Sequence, residues 1–233
     1  MQGFIRYQVI SYIRSLKFIP PLTVFGAWIF VFYAYSGVPV MSSYAVTCLT
    51  VYLTMVWIAM SVFSLETSNE RNLLLVQLPQ QSMYFWGKWL VCLFAAILLT
   101  GFAIGYPILI DSFKEAVQPI HLSLAIYAHV ILALFGISVG AFFANTSASS
   151  QKFAWLSAML ITVVSIAAEG IIEKVGWLQW ILLLVPPITR VIGYLGDSML
   201  WLGWDFWVNA LWAIGYFVVS LFVVYRMFRR KSK

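Results

Sequence analysis

Charge is what this chain has least of. Only 9% of its 233 residues are Asp, Glu, Lys or Arg, where a soluble domain carries ~25%. So few charges cannot cover a water-facing surface, which excludes the cytosolic and secreted globular classes. Cysteine is nearly absent too. Cys48 and Cys92 each sit inside an apolar run, which excludes a disulfide framework and reads as two small buried residues. His121 and His129 are the only histidines, too few for paired haem ligands. No G-x-x-x-x-G-K-[ST] pattern occurs, so this chain carries no P-loop for ATP. The start has no short apolar core followed by a small-residue cleavage site, so a cleavable signal is not expected. Charged rings or a filter loop, the usual marks of a channel, are also missing.

What is abundant is apolar surface. Hydrophobic residues make up 63% of the chain and aromatics 18%, and mean hydropathy is +0.92. A membrane-crossing helix needs ~20 apolar residues. Such runs fall at 19–38, 43–64, 86–110, 122–144, 153–172 and 206–225. The expected fold is therefore an all-α integral membrane protein with six transmembrane helices, in one domain over 1–233. Trp201, Trp204 and Asp205 precede the last run as an aromatic belt. Between Glu173 and Asp205 the stretch WLQWILLLVPP is apolar but too short to cross before its two prolines. Residues 177–205 are expected to form a re-entrant or interfacial helical segment. At the other end, residues 1–17 read as an amphipathic helix. Ile5, Val9, Tyr12, Ile13 and Leu16 share one face, while Arg6, Arg14 and Lys17 are placed to meet anionic headgroups at the interface. An ordinary juxtamembrane extension is the alternative.

The basic residues orient the chain. With both termini in the cytoplasm, the inner side receives Arg6, Arg14, Lys17, Arg71, Lys88, Lys152, Arg226, Arg229, Arg230, Lys231 and Lys233, which is 11 of the 14. Lys114, Lys174 and Arg190 remain outside. The positive-inside rule favours this arrangement. The net charge of +6 is thus a topological signal, and nucleic acid is not an expected partner.

Against that background residues 64–85, SLETSNERNLLLVQLPQQSMYF, are anomalous, because Glu66, Glu70 and Arg71 cluster between two apolar runs. The loop reads as helical, with Ser68 or Asn69 as N-cap, Glu70 in the first turn and Pro79 as terminator. Leu74, Leu75 and Leu78 form an apolar face suited to a groove in another protein or to the membrane surface.

Here the chain resembles the permease subunits of ABC-2 type transporters. These often carry E-R-E-x-G-T-L-x-x-L-L-x-x-P between their second and third spans, with a lysine shortly after. Aligned on Pro79, Glu66 takes the first acidic position and Lys88 follows; Glu70 and Arg71 stand where the family has Gly-Thr. The order of an amphipathic N-terminal helix, six spans and a broken outer segment extends the resemblance over nearly the whole chain. The resemblance implies an elbow helix at 1–17 and a coupling segment at 66–79. It implies ATPase contact through Glu66, Glu70, Arg71, Leu74, Leu75, Leu78 and Pro79. ATP and magnesium would belong to a separate ABC ATPase subunit, leaving this chain no cofactor and no catalysis of its own. A second permease subunit, identical or related, is the other implied partner, besides membrane lipids. The implied location is the cell membrane, multi-pass, of a bacterial cell. The small size also resembles compact permeases that export toxin-like peptides, including phenol-soluble-modulin exporters. An apolar cargo suits spans rich in aromatics and expected to hold no buried ion pair.

Other patterns are weighed against this reading. GISVG, with Ser138 between Gly136 and Gly140, matches a nucleophile elbow but lies inside a span instead of a strand-turn-helix. Close helix packing by Gly136 and Gly140 is the expectation, and Gly101 and Gly105 read the same way. Ser138 and His129 are placed on opposite helix faces. Asp197 in LGDS lacks an intramembrane acidic partner, and the NTS at Asn145 falls on the inner side. An intramembrane hydrolase or lipid-modifying enzyme is the alternative class. In the second span Thr47, Thr50, Thr54 and Ser61, with Trp57 nearby, trace a polar stripe. It faces the substrate path or a subunit interface, unless each hydroxyl simply bonds its own helix.

Overall fold

The computed structural model describes residues 2–146, 151–196 and 203–231. Among them the chain is helical, with no strand beyond one isolated bridge between Val38 and Phe113. The helices are α1 (Gln2–Arg14), α2 (Ile19–Phe32), α3 (Val40–Phe63), α4 (Ser68–Gln77), α5 (Gln81–Leu109), α6 (Pro119–Asn145), α7 (Gln151–Lys174), α8 (Gln179–Leu182), α9 (Ile188–Ile192) and α10 (Trp204–Lys231). Short 3₁₀ turns occupy Gly176–Leu178 and Gly193–Leu195. Five helices, α3, α5, α6, α7 and α10, are long and apolar enough to cross a bilayer, and α1 with α2 forms a bent pair that reaches six only if counted as one span. The protein is thus a multi-pass membrane protein.

The first expected span is shorter than its sequence suggested. The apolar run reaches residue 38, but α2 has 14 residues, ~21 Å at 1.5 Å per residue against a ~30 Å hydrocarbon core. Its continuation is stopped by a turn in which Gly37 adopts φ +79° and by the extended Pro39 before α3. Gly37 N–H and Val38 N–H instead donate to the Ser112 carbonyl at 2.8 and 3.1 Å, tying this end to the α5–α6 connection. Between α1 and α2 the axis bends by 74°, with Leu16 at φ +56° in the turn.

The centre of the bundle is the α3–α6 pair. A Cβ at Gly136 would lie 2.7 Å from the Tyr52 carbonyl oxygen, and one at Gly140 would lie 2.6 Å from that of Val56. Only hydrogen at these two positions lets the backbones approach so closely. A polar link crosses the same seam. His129 Nδ1–H donates to the Ala125 carbonyl (2.8 Å), which leaves Nε2 to accept from the Thr47 hydroxyl (3.1 Å). Cys48 and Cys92 are both free and buried.

Around this pair α5 covers one side and α10 another. The segment after α7 runs back along α10: the Tyr216 hydroxyl donates to the Leu184 carbonyl at 2.8 Å, and Asn209 Nδ2 donates to the Tyr194 hydroxyl at 2.7 Å. Pro186 and Pro187 separate its two helical pieces, α8 and α9. Part of the 177–205 region, including Asp197 and Trp201, lies outside the described residues, as does Lys233.

Candidate functional site at the junction of α1, α4 and α5

The charge cluster of the sequence resolves into a buried knot. α3 ends at Phe63, so its last carbonyls have no partner within the helix. Lys88, about two turns into α5, reaches them: its Nζ donates to the Val62 carbonyl at 2.8 Å and the Phe63 carbonyl at 3.4 Å. A cation there also meets the negative end of the α3 dipole. The third donor of the ammonium goes to Glu66 Oε2 in an ion pair. The Lys88 side chain is 0% exposed and that of Glu66 4%, so neither charge is held by water.

Two further side chains complete the carboxylate. Tyr84, one turn before Lys88, donates its hydroxyl to Glu66 Oε2 at 3.0 Å. Gln8 of α1 donates its amide to Glu66 Oε1 at 2.5 Å. Burial pushes the Glu66 carboxyl up, but the Lys88 charge and the hydrogen bonds from Lys88 and Gln8 outweigh it, so Glu66 titrates below the ordinary carboxylate range.

α1 is seated on this knot by a sequence detail that a face count misses. Its buried residues are Phe4, Gln8 and Tyr12, each one turn apart. A Cβ at Gly87 would lie 2.5 Å from the Phe4 ring, so glycine there lets α1 rest on α5. Of the residues expected on the apolar face, Ile5 and Val9 are half-buried, Tyr12 is buried, and Ile13 and Leu16 are exposed. Arg6, Arg14 and Lys17 are exposed, away from the knot.

α4 leaves the knot directly. Its N-cap is Thr67, one residue before the expected Ser68 or Asn69. The Thr67 hydroxyl accepts from Glu70 N–H at 3.3 Å, and the Thr67 N–H donates to Glu70 Oε2 at 2.8 Å, a reciprocal capping box. The physical reason for the shift is that Thr67 stands three residues before a glutamate. Leu78 ends the helix ahead of Pro79. Leu74, Leu75 and Leu78 turn inward and pack against the chain's own core. Arg71 is also turned inward, its guanidinium 5.5 Å from the centre of the Phe228 ring of α10, and Phe228 stacks on Tyr84 at 5.8 Å. The surface that α4 offers outward is instead Leu73 and Val76, 63% and 85% exposed. The inner leucines satisfy the chain's own packing, so the outward apolar pair is the one left exposed by the described residues.

No family model, no curated protein and no solved structure matches this chain.

The remaining candidates sit elsewhere. Thr47, Thr54 and Ser61 are buried within the chain, and Thr50 and Trp57 are half-buried. Thr50 and Thr54 donate to the Val46 and Thr50 carbonyls of their own helix, at 3.0 and 2.8 Å. Trp57 meets the ring of Trp155 edge-on at 6.3 Å. Ser138 donates to the Leu134 carbonyl at 2.9 Å, while the His129 ring is engaged by Thr47, so the two are not joined as nucleophile and base. Gly101 and Gly105 have nothing within 4 Å of their Cβ positions and line an open groove of about 470 Å³ between α5 and α6. Among the described residues no group of three or more His, Cys, Asp or Glu is gathered for a metal ion.

The buried Glu66–Lys88 pair corrects the expectation of spans without an ion pair. It lies at one end of the bundle, where α3 finishes, so the apolar middle of the helices is unaffected. Gln8 and Tyr84 were not anticipated. The available signals were a glutamine, Gln8, one turn from each of Phe4 and Tyr12 in α1 and a tyrosine one turn from the only charge in the 29-residue α5.

Proposed function

We propose that this chain is the transmembrane permease subunit of an ATP-driven ABC exporter, working with a separate ATPase subunit and a second permease. The observation that carries the reading is the attachment of α4. A short, doubly capped helix projects from the bundle with Leu73 and Val76 outward, and its root is held to α1 and α5 by the buried Glu66 knot. A partner that moves α4 then moves α1 and the ends of α3 and α5 with it, because a buried, fully bonded charge pair resists separation. In this reading α1 is the elbow helix, α4 the coupling helix, and 176–195 a re-entrant segment on the outer side. The depth of Leu184 beside Tyr216, mid-way along α10, supports re-entry over lying at the interface. Both termini are cytoplasmic, on the basic asymmetry. ATP and magnesium act on the partner, and the cargo is a hydrophobic or amphipathic molecule, best a peptide.

The deciding experiment is purification of the full chain with its candidate ATPase. The expected result is copurification that Val76→Asp and Leu73→Asp abolish while membrane insertion stays intact, because each places a charge in an apolar contact. Unchanged copurification and transport in the double variant would refute docking through this face. Failure of any ATP-hydrolysing chain to accompany the wild type would favour the non-transport class.

A further inference from the structure

A cleft of about 1000 Å³ runs between α6, α10 and the 183–190 bend. Its described walls are almost wholly apolar, with Phe142, Leu184, Leu211 and Val219 prominent. Arg190 is the only charged residue among the described ones that line it. The guanidinium lies 5.5 Å from the centre of the Trp212 ring. Trp212 is eight residues into α10, ~12 Å along its axis from Trp204. Arg190 therefore stands below the aromatic start of the helix, at a depth where a cation is costly unless something compensates it. The indole face supplies part of that compensation. The cleft continues along α10 from Trp212 to Val224, another ~18 Å.

We infer that this cleft is a binding site for an anionic phospholipid, with the phosphodiester on Arg190 and one acyl chain along α10. The occupant must match two features at once. An apolar trough open to the bilayer takes a hydrocarbon chain, and an arginine at its head takes an anion with two oxygens in one plane, as a phosphodiester presents. Trp212 lies against the guanidinium, and among the described residues Arg190 makes no side-chain hydrogen bond or ion pair, which leaves its N–H groups for the anion. Gly215 lines the trough with nothing within 4 Å of its Cβ position, which leaves the trough open there. The inference needs only the membrane location and stands apart from the exporter reading.

The test is native mass spectrometry of the full chain released from vesicles of phosphatidylcholine containing phosphatidylglycerol, beside thermal unfolding in the same detergent. The wild type should retain phosphatidylglycerol at least tenfold over phosphatidylcholine. Arg190→Gln should remove that preference, and Gly215→Phe, which fills the trough and leaves Arg190 in place, should cut retention of both lipids about tenfold. Gly215→Phe should unfold at the wild-type temperature in lipid-free detergent, which separates a blocked site from a damaged fold. Equal retention of the two lipids by the wild type overturns the proposal, as does retention unchanged in both variants. A lipid-free wild-type dimer that Gly215→Phe converts to monomer also overturns it, since the cleft would then hold a second copy.

Discussion

At Gly136 and Gly140 a methyl group would meet the α3 backbone within 2.7 and 2.6 Å, whereas at Gly101 and Gly105 it would meet nothing within 4 Å. The spacing is the same, and both pairs lie in long apolar helices. The difference extends to whole helices: 67% of the most apolar window of α3 and of α6 is buried, against 22% in α7 and 17% in α10. The molecule is a sealed two-helix spine with partly open helices around it. Small residues on a membrane helix permit close approach but do not by themselves supply the neighbour. The same contrast holds for cations. Lys88 is enclosed and neutralised by the chain's own Glu66, while Arg190 stands exposed at the edge of an open cleft.

The largest effect should come from the enclosed cation. Lys88→Met leaves Glu66 as a buried carboxylate without its counter-ion and removes the Nζ donor from the Val62 and Phe63 carbonyls, at a cost of about 3–5 kcal/mol. Thermal unfolding in detergent should show it, and Glu66→Gln in the Lys88→Met background should recover much of the loss. A double variant as unstable as Lys88→Met would mean that Lys88 acts mainly as the α3 cap.

Acid should probe the same knot. Glu66 has its folded value depressed, so its contribution is complete above the ordinary carboxylate value of about 4.3 and is lost as pH falls through the lower folded value. The unfolding temperature of the wild type should therefore decline below that range more steeply than that of Glu66→Gln. Parallel curves would show that the carboxylate is not held as described.

The glycine contrast comes next. Gly140→Ala should cost about 1–3 kcal/mol through overpacking against Val56 and Ala59, and Gly101→Ala should stay within about 0.5 kcal/mol. If Gly101→Ala were the costlier, α5 would have a partner that the single chain does not reveal. A comparably small effect is expected at the polar seam. Thr47→Val removes the hydroxyl that His129 Nε2 accepts from, worth ~0.6 kcal/mol for an interhelical bond in a membrane. Thr50→Val removes only a bond within its own helix and should be smaller still.

Much of this was legible in the residues. Scarce charge and long apolar runs identify a helical membrane protein, since a bilayer demands internally bonded backbone. The α4 helix between two long helices, its Glu70 in the first turn and its stop at Pro79 were readable from local propensity. The shortening of α2 was not, because the window over 19–38 satisfies a hydropathy scan through its earlier residues, whether or not 33–38 (YAYSGV) are helical. The orientation of α4 was also missed. Leu74, Leu75 and Leu78 make the better apolar face, and a short helix spends its better face on its own core before any partner. Thr67, Ser68 and Asn69 are all good cap residues, and only the partnership with Glu70 decides among them.

By itself, then, the sequence determined the class of solvent, the existence of most long helices and the place where charge gathers, because these depend on composition and on spacing along one chain. Tertiary structure alone decided which glycines are sealed and which are open, that Gln8 of α1 meets Glu66 from 58 positions away, and that Arg190 faces an apolar cleft. Each of those depends on which helix faces stand next to each other, and in a lipid environment nearly every face is apolar enough to be a neighbour of any other.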